Sequence, residues 1–257
     1  MIKEIIINAD DFGLKTSVNK AIVTSFNSGL INSTTLMANM EGFDEAVELA
    51  HQNGIVSKIG IHLVLSDGLP LTPEILGANL FYNGSVLYLR KYKRRLFFLS
   101  KKNKIKIYNE FAAQIDKVRK AGIPVTHIDT HHHIDDVWTV TQILISLLKT
   151  YGIRSMRILN NLNKSTKFYK SGYRKIVNEF IKCNHANFSD FFGDQYESVS
   201  FLRNMGSLPE KRTLEIMVHP DYNDNGILIN RFRNKEIVFD YPEDIKAILH
   251  SGIYTKI

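Results

Sequence analysis

Four separate segments carry ionisable residues that could meet and do chemistry. Asp10 and Asp11 lie side by side in N-A-D-D-F-G, residues 8–13, directly after an apolar run. His62 interrupts G-I-H-L-V-L, residues 60–65. His131 opens the triple histidine of T-H-I-D-T-H-H-H-I-D-D, residues 126–136, and His219 stands in M-V-H-P-D-Y. One carboxylate and two imidazoles make a facial metal site with open positions, suited by ligand softness to Zn²⁺, Fe²⁺, Co²⁺ or Ni²⁺ and less comfortably to Mg²⁺. A cation held that way lowers the pKa of a bound water and polarises a carbonyl. A spare carboxylate can then take the water proton, while a departing amine needs an acid. His219 is a candidate for that acid, with Pro220 fixing the chain direction after it.

Each segment also has a plainer reading. An Asp-Asp pair can cap a helix or sit in a turn. A lone histidine in an apolar strand is often a satisfied core residue. Four His and three Asp within 126–136 could form a surface cluster that collects metal adventitiously. His219 could be a structural turn histidine. The functional reading gains from the place of the residues, just after strand-like runs. Alternation along a strand would further send Asp10 and Asp11 to opposite faces and so to different roles.

The elements around these residues alternate. Strand-like runs fall at 3–8, 31–37, 59–65, 125–130, 153–158 and 214–218, and helical spacing at 16–27, 44–52, 104–120, 137–151 and 244–251. This rhythm predicts an α/β fold with a parallel sheet and helices outside. An open doubly wound sheet and a closed barrel both satisfy the pattern. A barrel is favoured because its strand ends converge on one mouth and would bring residues from several strands together.

The 257 residues suit one such domain over 1–257. No apolar run approaches the roughly 20 residues of a membrane span. The first residues, M-I-K-E-I-I-I-N-A-D-D, read as a buried strand rather than a signal peptide. Cys183, in a helix-like stretch, is the single cysteine, which fits a reducing cytoplasm and offers no intrachain disulfide. The net charge of +7 is local: residues 90–106 hold nine Lys or Arg and no acid, so the rest of the chain stands at −2. A nucleic-acid-binding face would more often spread its charge, and no nucleic-acid partner is expected.

Together the motifs N-A-D-D-F-G-L, S-T-T-L-M (33–37), G-I-H-L-V-L, T-H-I-D-T-H-H-H and M-V-H-P resemble those of the YdjC-like carbohydrate deacetylases, a family that includes the chitooligosaccharide deacetylases. The likeness runs over about 2–157 and 212–222 and is poor over 66–105 and 160–205. It implies a distorted TIM-like (β/α) barrel and a metal-dependent hydrolase that removes an N-acetyl group from an amino sugar. It implies one divalent ion, usually Mg²⁺, on Asp11, His62 and His131. Asp10 would activate water, His219 would stand near the acetyl group as the acid, and Asp129 with His132 or His133 would orient the ligands. One departure is visible: Asp135 stands where the family usually has a further histidine, which bears on substrate contacts more than on the metal.

Residues 66–103 read as a loop insertion between the His62 strand and the next helix, on the catalytic face of a barrel. Arg94, Arg95, Lys101 and Lys102 flank Leu96–Leu99, and such a segment could cover the site and contact an anionic or lipid-linked sugar. The same apolar run could be a homodimer contact or core. Trp138 and the tyrosines could stack sugars, though most would be core. Two other functions use the same residues: a phosphoesterase with a second metal from the surplus His and Asp at 132–136, and a carbohydrate-binding protein with a lapsed site.

Overall fold

The computed structural model describes residues 4–76, 81–87, 99–163, 167–184, 187–205 and 212–232. The strands are β1 (Glu4–Phe12), β2 (Ser33–Leu36), β3 (Ile59–Leu63), β4 (His127–Thr130), β5 (Ser155–Met156), β6 (Phe191–Asp194), β7 (Thr213–Val218), β8 (Pro220–Tyr222) and β9 (Leu228–Asn230). The helices are α1 (Thr16–Asn27), α2 (Phe43–Gln52), α3 (Pro73–Leu76), α4 (Lys101–Lys120), α5 (Trp138–Tyr151), α6 (Phe168–Asn184) and α7 (Gln195–Met205).

Strands β1 to β7 form one curled parallel sheet in the order β5-β4-β3-β2-β1-β7-β6, and β8 pairs with β9 in a separate antiparallel hairpin. Read as a ring, this is the strand sequence of a barrel with one seam, between β5 and β6. Among the described residues no strand ladder spans that seam, although the Asn161 side chain accepts from the Phe192 N–H and donates to the Asp190 carbonyl. Ser155 bridges to Asn187, and the Asn161 N–H donates to the Phe192 carbonyl. Among the described residues the sheet therefore remains a seven-stranded partial barrel, and the closed ladder of a TIM barrel is not formed.

Alternation explains what each face holds. Ile5, Ile7 and Ala9 of β1 and Ile59 and Ile61 of β3 are fully or almost fully buried in the apolar core. The residues between them, Asn8 and Asp10 on β1, Thr35 on β2, His62 on β3, His127 and Asp129 on β4, and Glu215 on β7, are also buried, yet polar. They hydrogen-bond or ion-pair with one another directly or through Arg157, just past β5. The parallel register sets His62 opposite Asp129.

The expected helices at 16–27, 44–52, 104–120 and 137–151 match α1, α2, α4 and α5 to within a few residues. Helix α4 begins earlier, where the Ser100 hydroxyl accepts from the Asn103 N–H at 3.3 Å and caps it. The expected helix at 244–251 lies outside the described residues, as do Arg94, Arg95 and Leu96–Phe98. Lys101 and Lys102 are exposed on the first turn of α4, and Leu99 is buried. Part of the 66–103 segment is tied down: the buried Glu110 carboxylate accepts from the N–H groups of Leu71 and Thr72 and from the Thr72 hydroxyl. Among the described residues no helix is long and apolar enough to cross a membrane. Trp138 packs against Phe180, with ring centroids 4.6 Å apart, in the contact between α5 and α6.

Candidate active site

At the end of β1 the ladder to β2 slips between Ala9 and Phe12, and Asp11 takes a left-handed backbone at φ 70°. A bulge of this kind re-aims side chains. It overrides the alternation expected for the Asp pair: both carboxylates reach the same buried centre, within metal-ligating distance of His62. After β4 a tight turn puts His132 and His133 in the left-handed region as well, at φ 56° and 49°. Backbone strain of this kind at non-glycine residues concentrates at functional sites. Here it falls on Asp11 itself and on the two residues after His131.

Asp11, His62 and His131 converge. Asp11 Oδ1 lies 3.3 Å from His62 Nε2 and 3.0 Å from His131 Nδ1, and the two imidazole nitrogens are 3.2 Å apart. All three residues are buried. Asp11 Oδ1 has no hydrogen-bond partner of good geometry despite these approaches. A buried carboxylate oxygen without a proper donor, facing two imidazole nitrogens, is the donor set of a cation site. The other oxygen, Oδ2, pairs with the Arg231 guanidinium. His62 is oriented from behind: its Nδ1 is 2.7 Å from Asp129 Oδ1, which assigns the proton to Nδ1 and aims Nε2 at the centre. Burial alone would lower the His62 pKa. Asp129 and Asp11 outweigh it and hold the ring well above the usual histidine range.

Arg157 organises the other half. Its Nη2 and Nη1 donate to Asp10 Oδ1 and Oδ2 at 2.7 and 2.8 Å. Nη1 also meets Asp129 Oδ2 at 2.7 Å, and Nε meets Glu215 Oε1 at 2.6 Å. Burial would raise the Asp10 carboxyl, but the Arg157 charge and hydrogen bonds hold it well below the carboxylate range. Glu215, deep in the same cluster, is shifted up by burial. Asn8 donates to Asp10 Oδ1 at 2.8 Å, and its carbonyl oxygen lies 3.2 Å from His127 Nε2. Burial lowers His127 to about 4, so the ring is neutral.

His219 stands across the centre with Nε2 3.9 Å from Asp10 Oδ2. Burial lowers it to about 4 despite the two aspartates, so it too is neutral near pH 7. Asp10, His62, His131 and His219 line one cavity of about 240 Å³, completed by Thr130, His132, His133, Asp194, Gln195, Tyr196, Met217, Asn230 and Phe232. All five sequence candidates thus meet at one place. His132 turns toward Ser66, 2.8 Å from its hydroxyl, and Asp135 is buried against the Thr130 hydroxyl at 2.7 Å, outside the ligand set. The sequence did not point to Arg157, Glu215 or Arg231, and gave no role to Asn8 and Thr35, which lie inside the quoted motifs. Arg157 shares the strand-like run 153–158 with Arg154, and nothing in that run sets it apart.

The fold and the centre define an α/β protein with a parallel partial barrel and an Asp/His site, able to hold a metal, at the C-terminal ends of its strands. A family model described as YdjC-like protein matches residues 4–249, and the chain belongs to that family. It is similar to proteins named carbohydrate deacetylase. One, from Brevibacillus brevis, is 29% identical over 253 residues, covering 96% of this chain and 94% of the relative. Another, from Clostridium beijerinckii, is 35% identical over 225 residues, covering 87% and 84%. A third, from Thermoanaerobacter pseudethanolicus, is 34% identical over 235 residues, covering 88% and 84%. In fold the chain resembles a crystal structure from Enterococcus faecalis, of a protein assigned provisionally to cellobiose-phosphate cleavage, with a TM-score of 0.73, 24% identity and 99% and 96% coverage.

Proposed function

We propose that the protein is a metal-dependent hydrolase that removes the N-acetyl group of an amino sugar or oligosaccharide and releases acetate. One observation carries the reading: Asp11 Oδ1, His62 Nε2 and His131 Nδ1 close on one point while Asp10 stands beside them, engaged by an arginine rather than by those ligands. The names of the relatives supply the substrate class.

Asp11, His62 and His131 would hold one divalent ion, Mg²⁺ by family resemblance or a transition metal by ligand type. When bound, the ion would acidify a water and polarise the acetyl carbonyl. Asp10, ionised and fixed by Arg157, takes the proton of the attacking water. Neutral His219, 3.9 Å away, is placed to receive it and hand it to the leaving amine. Asp129 keeps His62 in the tautomer that faces the centre.

Among the described residues, the other set within ligating distance that could serve a second ion, as phosphoesterases usually require, is Asp10, His62 and Asp129. Arg157 already bridges that pair of aspartates with a fixed positive charge, so the geometry favours one ion and amide hydrolysis.

The test is acetate release from N-acetylglucosamine oligosaccharides by metal-loaded protein. Asp10→Asn is expected to lose turnover by about 10²-fold or more while still binding metal, and His131→Ala to lose metal as well. Sugar binding with no acetate from the wild-type protein would favour the lapsed-site reading. Two ions per chain with phosphate release would favour the phosphoesterase.

A further inference from the structure

The β8–β9 hairpin grips His219 from several sides. The Asn230 side-chain oxygen accepts from the His219 N–H at 3.1 Å, and the Arg231 N–H donates to the His219 carbonyl at 2.8 Å. Asn230 Nδ2 ties the hairpin end to Gln195 at 2.8 Å. The next residue, Phe232, meets the His219 ring at right angles, with centroids 4.3 Å apart and an interplanar angle of 88°. The Arg231 guanidinium lies 4.9 Å from the phenyl centroid. Phe232 is nevertheless 61% exposed, while it lines the cavity that holds Asp10 and His131. A large aromatic ring left open to solvent inside a reactive cavity has lost hydrophobic stabilisation that a ligand can restore. The cavity also offers polar side chains: Asp194, Gln195 and Tyr196.

A phenyl ring that stays 61% exposed beside polar groups, although Arg231 lies over it, is the chemistry that recognises a pyranose: sugar C–H groups pack on the exposed phenyl surface and the hydroxyls reach the polar side chains. We propose that Phe232 is a specificity-determining residue, the platform on which the substrate's sugar ring rests so that its acetamido group falls between His219 and the Asp11–His62–His131 centre. The proposal deepens the deacetylase reading and rests on it for the identity of the sugar.

The experiment measures the Kd of an N-acetylglucosamine disaccharide by calorimetry on metal-loaded Asp10→Asn protein, in which turnover is slowed by about 10²-fold or more, with Phe232→Ala, Phe232→Leu and Phe232→Tyr added. Ala and Leu are expected to weaken the sugar by about three- to tenfold, the size of an aromatic contact, and Tyr to stay within about twofold of Phe. Metal affinity should not move with any of the three. Leu keeps apolar bulk against His219 but has no aromatic face, so it separates packing from stacking. Leu binding the sugar as well as Phe does, or all three variants losing metal and thermal stability together, would make Phe232 a packing residue and overturn the platform. The two readings fail separately. Wild-type protein that binds the disaccharide through Phe232 but releases no acetate defeats the deacetylase and leaves the platform. Acetate release with a Kd insensitive to Phe232 does the reverse.

Discussion

Arg157 and Asp10 face each other as a planar fork, Nη2 to Oδ1 at 2.7 Å and Nη1 to Oδ2 at 2.8 Å, with both residues almost fully buried. The same guanidinium also contacts Asp129 and Glu215. One permanent cation therefore fixes the proposed base, steadies the carboxylate that orients His62, and offsets negative charge in a buried part of the protein. Only arginine offers donors in several directions from one rigid plane; a lysine ammonium can serve one or two of these carboxylates at a time.

Removing that cation should be costly in two ways. Arg157→Ala leaves buried carboxylates without a counter-charge, a loss of about 3–5 kcal/mol. Chemical denaturation at pH 7 should show a midpoint shift of that size. Arg157→Lys should recover part of the stability but little turnover, because Asp10 would no longer be held by two hydrogen bonds. Full activity in the Lys variant would show that the fork does not position the base.

Metal uptake should release protons. Without an ion, burial opposes the charged form of His62, yet Asp129 and Asp11 raise its pKa well above the usual value, so the ring is protonated near neutrality. A cation needs the bare Nε2 and must expel that proton. Apparent metal affinity should therefore weaken as pH falls through and below the raised His62 pKa. Calorimetry in two buffers of different ionisation enthalpy should report protons released on binding at pH 7, and Asp129→Asn should reduce that release. Identical heats in both buffers would contradict the protonated ring.

How much of this was readable beforehand depended on what kind of signal each residue leaves. Asp10, Asp11, His62, His131 and His219 are ligand-type residues set in or just after apolar runs, where burial of an unpartnered charge is unfavourable, so their types alone marked them. Arg157 left no such mark: β5 is two residues long, and the meaning of the arginine appears only when β1, β4 and β7 bring Asp10, Asp129 and Glu215 around it. The bulge at Asp11 was hidden too, since aspartate tolerates a left-handed backbone without any spacing that announces it. Helices α6 and α7 with β6 between them fall in 160–205, where no family motif was legible by eye, and β6 is only four residues, too few for a periodicity to show. The parallel α/β sheet followed from the rhythm of strands and helices, and the barrel-like curl from the candidate residues lying after several strands; the seam left between β5 and β6 did not.

The protein should lose stability on mild acidification through His127. Its pKa is lowered by burial from 6.5 to about 4, against the pull of Asp129. A histidine with a depressed folded pKa resists protonation only in the folded state. Stability is therefore unaffected above about 6.5 and falls between about 6.5 and 4 as the unfolded chain takes up the proton. At about 1.4 kcal/mol per pH unit the full loss is roughly 3 kcal/mol. Denaturation midpoints measured across that window should fall more steeply for the wild type than for His127→Asn; parallel curves would show that another group carries the acid sensitivity.

Gly60 decides how closely β3 and β4 can approach beneath the centre. It lies two residues before His62 on β3, and a Cβ there would meet the His127 ring at 2.6 Å and the His127 carbonyl oxygen at the same distance. The ring cannot swing aside without giving up Asn8 and Thr126, and the carbonyl is backbone. Gly60→Ala should therefore push β3 from β4 and stretch the 2.7 Å contact between His62 and Asp129, its register partner. Overpacking of this kind costs about 1–3 kcal/mol. Because the displaced strand carries a proposed ligand, metal affinity should fall too, by about tenfold or more, as it does when a group orienting a metal-bound histidine is lost. Gly60→Ala protein whose metal affinity matched the wild type would show that the centre tolerates movement of β3, and that the Asp129–His62 contact is not what aims Nε2.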